Sequence, residues 1–163
     1  MPIAVHIANG NPSILDLFRS PYQQGGGFAA FRIPTVMACQ QVLTSDLSER
    51  FPRLRWGFIE ASAQWVPWVV SDSKERFAVA GKPCPENLLE EKRVYVTCQT
   101  NDDLPFVLKH AGENSIVIGT DYGHIDPSSE LDAISVLKEK SGLPQETITK
   151  IVDTNPRALY GLD

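Results

Sequence analysis

Ser115-Ile116-Val117-Ile118-Gly119-Thr120-Asp121-Tyr122-Gly123-His124 is the stretch that decides the architecture. Ile116, Val117 and Ile118 leave no polar face, so a strand here is buried on both sides. It closes in Thr120-Asp121 and a glycine-containing turn, which puts a carboxylate at its carboxyl end and an imidazole just beyond. Strands buried on both faces belong to parallel sheets covered by helices.

Working outward, earlier segments end in the same manner. Residues 3–8 form a short apolar run interrupted by His6 and closed by the turn signal Asn9-Gly10-Asn11-Pro12. A second strand over 55–61 carries Gly57-Phe58-Ile59-Glu60, and a third over 94–99 ends in Thr97-Cys98-Gln99. A loop over 20–27 ends in three glycines, and a helix is expected over 34–45 with Pro34 in its first turn. Further helices are expected over 64–79, through Leu88 and Leu89, and over 102–110 up to Gly112. Beyond Asp121, Ser128 or Ser129 can cap a helix running to Lys140. Pro144 opens another, and 155–159 a final short one. Strand and helix alternate four times, which calls for an α/β fold with parallel strands in sequence order and right-handed crossovers.

The 163 residues suit one domain spanning 1–163, long enough to bury a core without a disulfide or metal staple. A 42% hydrophobic share excludes a wholly disordered chain. The net charge of -5, with no basic cluster, makes nucleic acid a poor partner. No apolar run reaches the ~20 residues of a membrane span, and the start lacks the pattern of a secretory signal. Cys39, Cys84 and Cys98 are odd in number and share no CxxC spacing, which argues against a disulfide framework and suits a cytoplasmic location.

In parallel sheets the ligand site lies at the carboxyl ends of the strands. Those ends here carry His6, Glu60, Gln99 and Asp121, with His124 following. Imidazole and carboxylate together hold a divalent metal or share acid and base work. Each has a plainer reading. His6 can be a core histidine on a backbone carbonyl, Asp121 an Asx-turn residue, and His110 a cation at a helix end. Glu60 sits in an apolar run, where a carboxylate needs a partner or a function.

Phe51-Pro52-Arg53-Leu54-Arg55, Phe58-Ile59-Glu60-Ala61-Ser62 and Trp65-Val66-Pro67 resemble the amidohydrolase-related family of decarboxylases and hydrolases, relatives of aminocarboxymuconate-semialdehyde decarboxylase. The most specific resemblance is Ile116 to Tyr122 followed by His124 and Asp126, and the chain's ending, with Asn155, Ala158, Tyr160 and Gly161, resembles the family's terminal helix. The likeness implies the second half, strands five to eight, of a metal-dependent-hydrolase (β/α)8 TIM barrel. A whole barrel needs ~250 residues, so this is a half-barrel.

The resemblance implies that His6 and Asp121 bind a divalent metal, zinc above all, and that Asp121 also handles a proton. Glu60 stands where the decarboxylases carry a catalytic histidine, which suits a hydrolase or a separate subgroup; as a catalytic residue it would orient water or substrate. Trp65, Trp68, Tyr122 and His124 would bind a small-molecule substrate, a carboxylated ring or ring-derived compound. The family's first-strand His-x-His or Glu-x-His pair is missing here, leaving two matched ligands where a catalytic zinc usually has three, so low metal occupancy is expected. A homo-oligomer, or another chain supplying the missing half, is expected to cover the open edges and inner face of the sheet. The competing readings are a non-catalytic half-barrel remnant and a doubly wound binding domain. The latter is weakened because Gly25-Gly26-Gly27 does not directly follow a strand.

Overall fold

A computed structural model describes residues 1–8, 12–17, 28–124 and 129–162. Within them four parallel strands lie in sequence order: β1 (Pro2–His6), β2 (Arg55–Ile59), β3 (Val94–Cys98) and β4 (Ile116–Ile118). The helices are α1 (Pro12–Leu17), α2 (Ile33–Thr44), α3 (Leu47–Arg50), α4 (Val66–Val79), α5 (Leu88–Glu91), α6 (Leu104–Ala111), α7 (Ala133–Lys140), α8 (Gln145–Thr149) and α9 (Asn155–Tyr160). A π-helical turn, Phe28–Arg32, leads into α2, and another, Lys150–Thr154, joins α8 to α9. The expected α/β architecture of parallel βα units is what the chain adopts.

Local chemistry explains most boundaries. Prolines stand in the first turns of α2, α4 and α6, where the missing N–H has no helical partner to lose. The Asp103 side chain caps α6 by accepting the Phe106 N–H (3.2 Å), and Gly112, at φ 76°, ends it. The strand register lines up Val5, Phe58, Val96 and Ile116 in one row facing α2, α4 and α6. Phe58, Val96 and Ile116 are fully buried there with Leu43, Val66 and Val107.

Several expectations move. The helix to Lys140 starts at Ala133, later than Ser129, because the segment ahead of it first returns to the sheet: the Glu130 N–H donates to the Thr120 carbonyl (3.0 Å). The two terminal helices are one run from Gln145 to Tyr160, with a π turn just ahead of Pro156, whose missing N–H interrupts the regular ladder. The turn expected at 9–11, the glycine loop at 20–27 and Ser128 as a cap lie outside the described residues.

The opposite face of the sheet is also partly covered, contrary to expectation. Leu159 of α9 is buried against Gly57, 3.1 Å from where a Cβ would stand, and Thr97 and Val117 beside it are buried. Ala4 and His6, on the same face of β1, remain exposed. Among the described residues β1 pairs on one side with β2 and β4 on one side with β3. No helix among them is long and apolar enough to cross a membrane.

Candidate active site

At the carboxyl end of β2 the chain turns sharply. Glu60 and Ser62 take left-handed backbone conformations, φ 69° and 64°, and Asp121 after β4 does the same at φ 50°. Such conformations cost a non-glycine residue roughly 1–2 kcal/mol each, so neighbouring contacts must hold them. Asp102 does this for the β2 turn. Its Oδ1 accepts the Ser62 hydroxyl (2.5 Å), and its Oδ2 accepts the N–H groups of Ala63 and Gln99 (both 2.8 Å). One carboxylate thus joins the loops after β2 and β3, just beyond Glu60.

The Glu60 side chain is 7% exposed and that of Asp121 9%. His124 Nδ1 lies 2.6 Å from Asp121 Oδ1 and 3.4 Å from Glu60 Oε1. On the other side, His6 Nε2 lies 2.6 Å from Glu60 Oε2 while its Nδ1 lies 2.6 Å from the Ile7 carbonyl oxygen. Close as His6 is, Oε2 receives no aligned hydrogen bond and remains a buried, unsatisfied carboxylate oxygen.

These contacts set the proton affinities. Burial pushes the Glu60 carboxyl above its ordinary value; the His6 and His124 charges pull it back in part, and the Asp121 carboxylate pushes it further. The hydrogen bond to Asp121 holds His124 above the usual imidazole value. Burial, with help from Asp102, pushes the Cys98 thiol up to about 12, so Cys98 is a protonated wall and not a nucleophile at neutral pH.

A cavity of about 90 Å³ opens between the strand ends, with His6, Glu60, Thr97, Gln99 and Asp121 as its polar lining. At ~30 Å³ per water this has room for an ion and a few waters, far short of a ring substrate. The donor set fits a divalent cation. Two carboxylates in contact repel unless a proton or cation lies between them, and the oxygens and the imidazole nitrogen are the donors such ions take.

The structure therefore brings His6, Glu60, Asp121 and His124 to one place. It does not bring Trp65 or Trp68 there. The Trp65 indole N–H donates to the Ala61 carbonyl (3.1 Å) and its ring packs on the core. Trp68 is 67% exposed on α4, beside Met37 of α2. Tyr122 is exposed in the turn joining Asp121 to His124. Two residues had no assigned role in the sequence reading. Gln99 lines the cavity with a buried amide nitrogen that has no partner, and Asp102 ties the loops. The position of Gln99 at a strand end was the signal for the former; nothing local marks Asp102.

The amidohydrolase family profile matches residues 1–162. No curated protein matches the sequence. Among solved structures, an amidohydrolase from Mycobacterium avium subsp. paratuberculosis superposes with a TM-score of 0.76 at 20% identity, over 97% of this chain and 42% of its own. The 2,6-dihydroxybenzoate decarboxylase from Rhizobium gives 0.67 at 22%, over 99% and 51%. A dihydroxybenzoic acid decarboxylase from a Polaromonas species, with bound manganese and the inhibitor 2-nitroresorcinol, gives 0.65 at 18%, over 99% and 50%. At these identities the likeness establishes the fold. This chain spans about half the length of the proteins it resembles.

Proposed function

This chain belongs to the amidohydrolase family, and from that premise we propose that it forms the carboxylate-bearing half of a metal-dependent active site for hydrolysis or decarboxylation of a carboxylated, ring-derived small molecule. The observation that carries the reading is the convergence of His6, Glu60 and Asp121 on one cavity at the carboxyl ends of parallel strands, with His124 hydrogen-bonded to Asp121. Further βα units, from a longer chain or a second one, complete the wall that a ring substrate needs; the half-length match to whole barrels supports this.

Both reactions need one group that gives up a proton and one that takes it. Glu60, raised by burial, holds a proton more readily than an ordinary carboxyl and is the donor, to the carbon left by CO2 or to a leaving nitrogen. Asp121 is the acceptor, oriented by its hydrogen bond with His124. Gln99 offers an amide N–H to a substrate oxygen. A divalent cation would be held by Asp121 and His6, both on the cavity wall, and would supply Lewis-acid polarisation of an oxygen. Zinc and manganese both suit such donors.

Turnover is the test. The protein, joined by the βα units that complete the barrel and supplied with Zn²⁺ or Mn²⁺, is incubated with a panel of hydroxybenzoates and of amides of carboxylated rings, following CO2 and amine release. Metal-dependent turnover of a panel member upholds the reading; no turnover of any overturns it.

A further inference from the structure

We propose that the groove between α2 and α4 is a self-association surface, in which Trp68 of one copy of this chain enters the groove of a second copy across a two-fold axis. This surface is independent of the activity proposed above.

The composition of α2 comes first. Its 12 residues, Ile33–Thr44, include no Asp, Glu, Lys, Arg or His. A helix with one face on the core ordinarily carries charge on the other. Here Val36, Cys39, Val42 and Leu43 are buried, and the outward stripe holds Met37, 54% exposed, and Gln41. Beside Met37, α4 presents Trp68, 67% exposed and remote from the strand-end cavity. Tryptophan and methionine are enriched at the centres of protein interfaces, where charged residues are depleted.

Shape agrees with composition. The two helices leave a groove of about 270 Å³, lined on its apolar side by Ile33, Val36, Met37, Trp68 and Val69. At ~30 Å³ per water it has room for about nine, and so for an indole ring. A patch holding both an exposed ring and a recess that takes one is complementary to itself. That is the condition for two copies to meet about a two-fold axis.

Charge identifies the occupant. The chain carries a net charge of -5, so two copies in general repel. On this face the balance is zero. Among the described residues, the ionisable groups lining the groove are Asp72 and Arg76, and they pair with each other (2.7 Å) while Gln40 donates to the same Asp72 oxygen (3.2 Å). A partner held by charge finds these counter-ions already taken. A second copy brings an equally neutral, apolar patch, and its Asp72 and Arg76 can exchange partners across the axis with no change in net charge. The groove lies on the helices, so pairing there leaves the free edges of β1 and β4 open to the βα units that complete the barrel.

Sedimentation equilibrium of the whole chain is the experiment. A dimer with a Kd in the micromolar range is expected. Trp68→Glu and, separately, Met37→Glu each place a charge at the centre of the patch and weaken the dimer at least tenfold; Trp68→Ala, which adds no charge, weakens it by a smaller factor. Ala4→Lys, on the exposed inner face of β1, leaves the dimer unchanged within twofold. All three positions are exposed, and circular dichroism of each variant verifies its fold. A chain that stays monomeric, a dimer that survives either Glu variant, or one that Ala4→Lys weakens as much as Trp68→Glu does overturns the proposal.

Discussion

The Ser62 hydroxyl, after β2, donates to Asp102, after β3, across 2.5 Å. With the two backbone N–H groups on its other oxygen, Asp102 is the clasp that keeps Glu60 in its left-handed turn at the cavity wall. Asp102→Ala leaves those donors without their acceptor. A loss of roughly 2–4 kcal/mol in urea unfolding is expected, since hydrogen bonds to a charged acceptor are among the stronger ones. An unchanged midpoint would mean that something else holds the turn.

Gln99 offers a contrasting case. Its amide nitrogen is buried with no partner, so Gln99→Leu sacrifices no hydrogen bond at that atom. Stability should stay within about 1 kcal/mol of wild type. KM for a turned-over substrate should rise about tenfold, the worth of one hydrogen bond of ~1.4 kcal/mol, with kcat changed less. A large drop in stability with KM untouched would make Gln99 a packing residue.

Acid sensitivity should be traceable to Glu113. Its carboxylate takes the Lys150 ammonium (3.0 Å) and the Thr147 hydroxyl (2.8 Å), which hold it below its ordinary value, the Lys150 bond foremost. A carboxyl depressed on folding stabilises above its unfolded value, near 4.3, and loses that contribution as pH falls through the folded value. Glu113→Gln should therefore be less stable than wild type at pH 7 in urea titrations, and the gap should close below about pH 4. A gap independent of pH would remove the charge from the account.

Much of this was legible in the sequence for reasons that can be named. The β-branched run Ile116–Ile118 and the prolines opening α2, α4 and α6 act locally, so the βα order and the polar strand ends could be read directly. What escaped depends on residues far apart in the chain. Leu159 covers the sheet because Gly57, about a hundred residues earlier, leaves bare backbone for it. Asp102 reaches Ser62 across two loops, and Glu130 returns to Thr120 before α7 can start. The family resemblance implied Trp65 and Trp68 as substrate contacts; the helix turns one onto the core and the other outward.

The proposed acid–base pair stands or falls on Asp121. In the metal-supplemented turnover assay, Asp121→Asn should lower kcat/KM by at least about 10²-fold, the usual contribution of a positioned proton acceptor, with the circular dichroism spectrum unchanged. Full activity in a folded, metal-supplemented Asp121→Asn variant would contradict the account at its centre.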